Sequence, residues 1–497
     1  MTTMNHLLDG APSACEIDWD LICWDKVEKQ VRRLQVRIAK AVREGRHGKA
    51  KALQWILSHS SSAKLIAVRR VTQNKGSKTA GVDNVIWTTP KQKMQAVEDI
   101  KQRGYQPLPL RRIYIPKKNG KLRPLSIPTM ADRAQQALHL LTLEPISETL
   151  ADKNAYGFRP KRSCADAIEQ CFKVLCRNCS AQWVLEGDIK SCFDKISHPW
   201  LINNIPMDKS ILEKWMKAGY IEKTAFNPTF EGTPQGGIIS PTLLVLTLTG
   251  LEQAVKAATG SKDKVNIIVY ADDFIITGAS REILESKVKP AVISFLKLRG
   301  LTLSEEKTRL THVNDGFNFL GFNVRKYDGK LLIKPAKENV KLFLDKLRNT
   351  IKNSGSATTE ALIRQLNPKI RGGSNYYRHV VSKRTFSKVD HNIFCMLWQW
   401  TKRRHPNKSA QWRKQKYYRH LALRDWLCFA KTHDKDGFTS HLDLAEAAKV
   451  KIRRHLKIKG SANPYELAYD DYFDNRSGMN KGRHIAIVRD ERCQSTF

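Results

Sequence analysis

Val265-Asn266-Ile267-Ile268-Val269-Tyr270-Ala271-Asp272-Asp273-Phe274-Ile275-Ile276 is the stretch on which the reading of this chain turns. Two short β-rich runs joined by a tight polar link predict a β-hairpin with the acids at its tip. Adjacent carboxylates repel, and their pKa values climb unless a cation sits beside them. Hard oxygen ligands in that setting suit a divalent metal, Mg²⁺ above all. A bare Asp-Asp pair is more often a solvated turn. The apolar flanks, and a third acid upstream, tip the balance towards a metal site.

That third acid is Asp188, in Trp183-Val184-Leu185-Glu186-Gly187-Asp188-Ile189-Lys190-Ser191-Cys192-Phe193-Asp194. An apolar strand runs into a carboxylate and then into a turn. Three carboxylates suffice for two Mg²⁺ ions about 3.5–4 Å apart, the arrangement that clamps the attacking and leaving oxygens of a phosphoryl transfer. A strand ending in Asp with an aromatic residue five positions on, followed by a Tyr-x-Asp-Asp hairpin, resembles the palm of a reverse transcriptase. More narrowly, it resembles the reverse transcriptase–maturases encoded by group II introns.

The resemblance implies an α+β fold: a right-hand polymerase (fingers and palm) with an N-terminal helical extension, a three-helix thumb and a small basic C-terminal DNA-binding region. The expected divisions are 1–75 for the extension, 76–335 for fingers and palm, 336–424 for the thumb or maturase domain, and 425–497 for the DNA-binding region and tail. It implies Asp188, Asp272 and Asp273 as catalytic metal ligands, with the Ile189 carbonyl as an extra ligand. Lys117 and Arg123, on the predicted hairpin Leu110–Pro128, match positions that grip the incoming triphosphate, where a point charge and a fork suit phosphate oxygens. Phe193 stands where a ring packs under the nucleotide sugar and collides with a 2′-hydroxyl, which predicts deoxynucleotide selection. Gln235, in Gly232-Thr233-Pro234-Gln235-Gly236-Gly237, matches a residue that contacts the nucleotide and the templating pair. Lys307 matches a lysine near the pyrophosphate, a candidate general acid. Gly316–Phe322 resembles the hairpin that holds the primer end.

Composition agrees with a polyanionic partner. The 497 residues carry 86 Lys and Arg against 48 Asp and Glu, a formal net charge of +38. An excess that large points to nucleic acid. Trp24, Val27, Val31, Leu34, Ile38 and Ala41 recur at helical spacing beneath a basic face, and helices are predicted near Lys51–Ser58, Lys64–Thr72, Asp132–Pro145, Cys164–Cys176 and Ile283–Arg299. Beyond Lys337, three amphipathic helices are predicted. Residues 371–420 are dense in Lys and Arg, with Tyr376, Tyr377, Trp398, Trp400, Trp412, Tyr417 and Tyr418 interleaved. Cations for phosphates and rings for stacking are what structured RNA and single strands require, although some of these rings are expected in the core.

No run of 18 apolar residues is present, and Met1–Cys15 lacks the pattern of a signal peptide. The ten cysteines show no framework spacing, which predicts a reducing compartment and, with the resemblance, a protein of the bacterial cytoplasm or nucleoid, or alternatively of an organelle, with no membrane partner. Many relatives carry a Cys- and His-rich nuclease at the C-terminus; here only His484 and Cys493 lie beyond residue 475, so that nuclease is not expected. The expected function is an RNA-directed DNA polymerase that binds its group II intron RNA, promotes splicing, and copies that RNA by target-primed reverse transcription. Its partners would be the intron RNA in a ribonucleoprotein, target DNA, an RNA template with a DNA primer, and dNTPs. The alternatives are a splicing cofactor whose polymerase is idle, or a reverse transcriptase adopted for host defence or DNA repair. The presence of all three acids argues against idleness.

Overall fold

The computed structural model describes residues 18–116, 120, 122–421, 424–433 and 439–481. Lys117, the N-terminal stretch Met1–Cys15, His484 and Cys493 lie outside the described residues.

Helices α1 (Trp24–Arg43), α2 (His47–His59) and α3 (Ser61–Gln73) form the N-terminal layer. On α1 the buried face is Val31, Gln35, Ile38, Ala39, Ala41 and Val42. Helix α4 (Pro90–Asp99) starts with a capping box between Thr89 and Gln92 and a proline in its first turn. Strands β1 (Leu110–Pro116) and β2 (Leu122–Ile127) form an antiparallel hairpin in which Ile115 faces Arg123. Helix α5 (Met130–Leu150) is longer than the predicted Asp132–Pro145 and runs through Pro145. It is buried on nearly every side, and tertiary packing outweighs the cost of the interior proline. Its Met130, Ala134, Ala137, Leu138, Leu141 and Ile146 join the core under α1–α3, whereas Leu140 and Leu143 join the core of the palm.

The palm comprises α6 (Cys164–Leu175), β3 (Trp183–Asp188), α7 (Cys192–Lys195), α8 (His198–Asn204), α9 (Lys209–Lys217), α10 (Ser240–Leu248), α11 (Leu251–Ala257), β6 (Asn266–Tyr270) and β7 (Asp273–Gly278), whereas β4 (Tyr220–Glu222) and β5 (Ala225–Asn227) extend the β1–β2 hairpin into a sheet of order β2-β1-β4-β5. The helix predicted at Ile283–Arg299 is a short α12 (Arg281–Ile283), a π-helical turn (Leu284–Val288) and α13 (Lys289–Lys297). Strand β8 (Arg309–His312) completes an antiparallel sheet of order β6-β7-β3-β8. Why β6 and β7 are apolar at consecutive positions is now visible. Ile267, Val269, Phe274 and Ile276 enter the core on one face, beneath α8–α13; Ile268 and Ile275 enter the core on the other, with α6. A sheet covered on both faces reads as a continuous apolar run.

Strands β9 (Phe317–Phe319), β10 (Phe322–Tyr327) and β11 (Lys330–Pro335) form a three-stranded meander packed on that second core. The thumb helices α14 (Lys337–Asn353), α15 (Thr359–Tyr377) and α16 (Lys383–Arg404) follow, with α17 (Ala410–Tyr417) behind them. Strands β12 (Tyr418–Leu421), β13 (Arg424–His433) and β14 (Thr439–Asp443) make a further sheet. Tyr418, Cys428 and Ala430 share one core with the thumb helices. Helix α18 (Asp470–Lys481) and the segment before it return to the body of the molecule: Arg43 pairs with Glu466 at 2.7 Å, Arg32 with Asp470 at 3.0 Å, and Tyr465 donates to Glu144 at 2.5 Å.

Of the basic-and-aromatic stretch, Trp400, Tyr417 and Tyr418 are buried, whereas Tyr376 is 40% exposed. Several cations stack on these rings within the chain, Arg413 over Trp398 at 4.5 Å and Lys416 over Trp412 at 4.6 Å. Lys383, Arg384, Lys388, Lys402, Arg403 and Lys408 remain exposed. The described cysteines are all free, and no described helix is long and apolar enough to cross a membrane.

Candidate active site

Antiparallel pairing of β3 with β7 sets Asp188 directly opposite Asp273, one step beyond the Gly187–Phe274 pair. The link between β6 and β7 is two residues, Ala271 and Asp272, because Tyr270 already pairs with Asp273. Ala271 has φ 58°, a left-handed conformation that costs a non-glycine residue energy and persists only where its surroundings hold it. The surroundings are identifiable. Tyr156 donates its amide to Val269 at 2.9 Å, and Val269 donates to Asn154 at 3.0 Å, so the segment Asn154–Tyr156 is laid along β6. Gly157 then abuts the turn: a Cβ at that position would stand 2.2 Å from the Ala271 nitrogen. Glycine is dictated here by close backbone approach. Beneath this loop, Arg159 and Glu148 form a buried pair with bonds of 2.7 and 3.0 Å, and Arg159 also donates to the carbonyls of Asp152 and Ala155.

On the other side of β3, Ser304 donates its amide to the Asp188 carbonyl at 2.8 Å and Lys190 donates to Thr302 at 2.9 Å. This bridge brings the following turn over the acids, and Lys307 Nζ donates to Asp188 Oδ2 at 2.9 Å. The hydrogen bond to Asp188 is the main reason the Lys307 ammonium is held above its ordinary range; burial opposes it, and the charges of Asp188, Asp273 and Asp272 add to it. The Asp273 carboxyl is pushed up to about 6, first by burial and then by the negative charges of Asp272 and Asp188. Asp273 is exposed to solvent, yet its carboxyl is walled closely enough for that desolvation to dominate. Burial, then the negative charges of Asp272, Asp188 and Asp194, push the Cys192 thiol upward.

These are hard oxygen donors at neighbouring strand ends, and their mutual repulsion is what a divalent cation relieves, so the donor set fits Mg²⁺. Among the described residues no three His, Cys, Asp or Glu side chains already close around a cation position; at Asp188 the counter-charge is the Lys307 ammonium. Ile189 is buried just beyond Asp188.

Phe193 is half-buried against the palm core, and Phe158 meets it edge-on at 6.1 Å. The loop 232–237 packs beneath it: Thr233 donates its amide to the Phe193 carbonyl and Gly232 to that of Ile196. Gln235 makes a contact that was not anticipated. Its side-chain Nε2 donates to both carboxylate oxygens of Asp194 at 3.0 and 2.9 Å, and its backbone carbonyl accepts from the Ser126 amide at 2.8 Å. Asp194, six residues after Asp188 in the same stretch, is a residue of the site to which the sequence reading assigns no role. Arg123 is exposed on β2 and makes no hydrogen bond to the three acids among the described residues.

Residues 115–324 match the model of reverse transcriptase (RNA-dependent DNA polymerase), residues 19–100 that of the N-terminal domain of reverse transcriptase, and residues 340–418 that of the group II intron maturase-specific domain. The protein YkfC of Escherichia coli K12 is 37% identical over 300 residues, which cover 51% of this chain and 78% of that protein. The group II intron-encoded protein LtrA of Lactococcus lactis subsp. cremoris is 29% identical over 411 residues, covering 63% of this chain and 68% of LtrA. An uncharacterized 91 kDa protein in the cob intron of Schizosaccharomyces pombe is 26% identical over 419 residues, covering 67% of this chain and 52% of that protein.

Proposed function

The chain belongs to the group II intron family of reverse transcriptase–maturases, and from that membership we propose that it copies an intron RNA into DNA at the end of β3 and binds the same RNA to promote its splicing. The observation that carries the polymerase reading is the pairing of Asp188 with Asp273 beside Asp272, with Lys307 in hydrogen-bond contact. Asp188, Asp272 and Asp273 would hold two Mg²⁺ ions, with the Ile189 carbonyl as a further ligand. When bound, such ions activate the primer hydroxyl and neutralise the triphosphate and the leaving pyrophosphate. Lys307, its ammonium held above the ordinary range by the hydrogen bond to Asp188, would give a proton to the leaving group. Phe193 excludes a 2′-hydroxyl, Gln235 supports the floor of the nucleotide site through Asp194, and Lys117 and Arg123 close on the triphosphate from the fingers.

Residues 1–75 serve as an RNA-binding extension, 76–335 as fingers and palm, 336–424 as thumb and maturase domain, and 425–497 as the region facing target DNA. Exposed cations of α16, such as Lys388, Lys402 and Arg403, supply phosphate contacts to structured RNA. The test is primer extension on an RNA template by the purified protein. Asp272→Ala abolishes synthesis and leaves affinity for the intron RNA nearly intact; retained synthesis in that variant defeats the assignment. Sequencing the RNA that copurifies with the protein identifies the intron.

A further inference from the structure

Between the core under α1–α3 and the core of the palm runs a groove of about 960 Å³. Its floor is one face of α5, with His139, Thr142, Ile146 and Leu150, a span of about 16 Å at 1.5 Å per residue. One wall is a face of α2, with Ala50, Gln54 and Trp55. The other comes from α8, the link after it and the turn beyond α13, with Trp200, Ile205 and Arg299. Ala50 and Ile146 belong to the N-terminal core and Ile205 to that of the palm, so the groove is the seam between them. Gln54 Nε2 donates across it to the Pro206 carbonyl at 2.9 Å.

A seam left by loose packing would be apolar or would pair its charges. This one holds a cation without a counter-charge. Arg299 stacks on Phe295 at 3.4 Å and on Trp200 at 4.9 Å, and it donates through Nε to the Thr247 carbonyl at 2.6 Å and through Nη1 to the Phe295 carbonyl at 2.8 Å. Among the described residues it makes no ion pair, and its Nη2 makes no hydrogen bond. The residue is half-buried rather than enclosed. Burial pushes the guanidinium down to about 10, with Asp152 opposing, so it stays charged at neutral pH. The nearby acids are engaged elsewhere. Asp152 accepts from the Gly250 and Glu252 amides, each at 3.0 Å. Asp208, the one acid among the lining residues, caps α9 through the Ile211 amide at 3.1 Å. The floor adds no charge, because burial pushes His139 down to about 4 and leaves its ring neutral. A guanidinium fixed by two carbonyls and two rings, with a donor to spare, is set for one carboxylate, sulfonate or phosphate. The rest of the groove is largely apolar and aromatic, with Trp55 62% exposed at its rim. Its volume is that of a site for a small organic molecule, roughly 300–1,000 Å³.

We propose that this seam is a binding site for a small planar aromatic anion, whose acidic group meets Arg299 and whose rings lie along α5 between Trp200 and Trp55. Such a molecule touches α2 and the palm at once. It therefore binds only the docked arrangement of the two and stabilises it by mass action.

The test titrates the full chain with anilinonaphthalene sulfonate and, in parallel, with phenylnaphthylamine, which has the same rings and no sulfonate, and follows probe fluorescence. The wild type binds the sulfonate at one site per chain, about tenfold or more tighter than the neutral amine, the scale of a charge-assisted contact. Arg299→Gln abolishes that preference. Trp55→Ala weakens both probes about three- to tenfold, the worth of an aromatic contact, and keeps the preference. Because Trp55 is exposed at the rim, this variant tests the site even if Arg299→Gln fails to fold. Saturating sulfonate also slows hydrogen exchange of the α2 amides in the wild type. Equal affinity of the wild type for the two probes, many weak sites in place of one, or binding unchanged in both variants overturns the proposal. So does displacement of the sulfonate, but not of the amine, by millimolar inorganic phosphate, which would make Arg299 a free-anion site. Displacement of both probes by a single-stranded RNA oligonucleotide would make the groove an RNA contact and overturns it as well.

Discussion

Asp166 ties the C-terminal segment to the palm, and replacing it by asparagine measures how strongly. Its side chain is fully buried at the start of α6. One carboxylate oxygen accepts from Arg476 at 2.5 Å, from the Ile458 amide at 2.8 Å and from His455 at 3.0 Å; the other accepts from the Ser163 amide at 2.9 Å. Burial alone would raise this carboxyl. The hydrogen bond from His455, the charges of Arg476 and His455, and the Ile458 amide outweigh burial and hold it down at about 2, from an ordinary 3.8. Holding the carboxyl that far down stabilises the folded chain by roughly 2–3 kcal/mol. A group whose folded pKa is lowered stabilises the fold above its unfolded pKa and ceases to do so as pH falls through its folded pKa. The contribution is therefore complete at pH 7 and is lost between about pH 4 and pH 2.

A chain with several cores does not unfold in one step, so the assay is local: hydrogen exchange of the α6 and α18 amides. At pH 7, Asp166→Asn exchanges these amides roughly 30- to 160-fold faster than the wild type, at about 1.4 kcal/mol per tenfold. The gap closes as both are acidified towards pH 2. Equal protection at pH 7, or a gap that does not narrow in acid, refutes the reasoning.

Gly187→Ala would place a Cβ 2.2 Å from the buried Phe274 ring, between the strands that carry Asp188 and Asp273. It costs about 1–3 kcal/mol in thermal stability and lowers the rate of primer extension more than tenfold, and Phe274→Leu in the same chain restores part of both. Phe193→Val raises incorporation of ribonucleotides relative to deoxynucleotides by roughly tenfold or more in single-nucleotide extension, and an unchanged ratio removes Phe193 from sugar selection. Lys307→Ala lowers the single-turnover rate by about 10²–10⁴-fold with little change in duplex affinity; a change in affinity alone makes it a binding residue. Intron RNA affinity falls with a log–log salt slope of about −0.7 to −0.9 per phosphate contacted, and a flat response contradicts the basic surface as the RNA-binding element.

From the sequence alone, residues 265–276 read as a hairpin, and the acids were in the order a polymerase palm requires. These features are local: apolar runs, a two-residue link and the spacing of polar residues reflect how a strand turns, whatever it packs against. The amphipathic helices were legible for the same reason, since a 3.6-residue period marks which face is buried. What the period does not say is which partner covers that face. The order β6-β7-β3-β8, which sets Asp188 opposite Asp273, exists only in the folded sheet. So do the reach of Lys307 to Asp188, the grip of Gln235 on Asp194, and the return of Glu466 and Asp470 to α1. The helix through Pro145 and the burial of Trp400, Tyr417 and Tyr418 were decided in the same way, by packing that overrides local preference. Contacts between residues tens to hundreds of positions apart leave no periodic trace in the chain, because their energy comes from surfaces that meet only after the elements have formed.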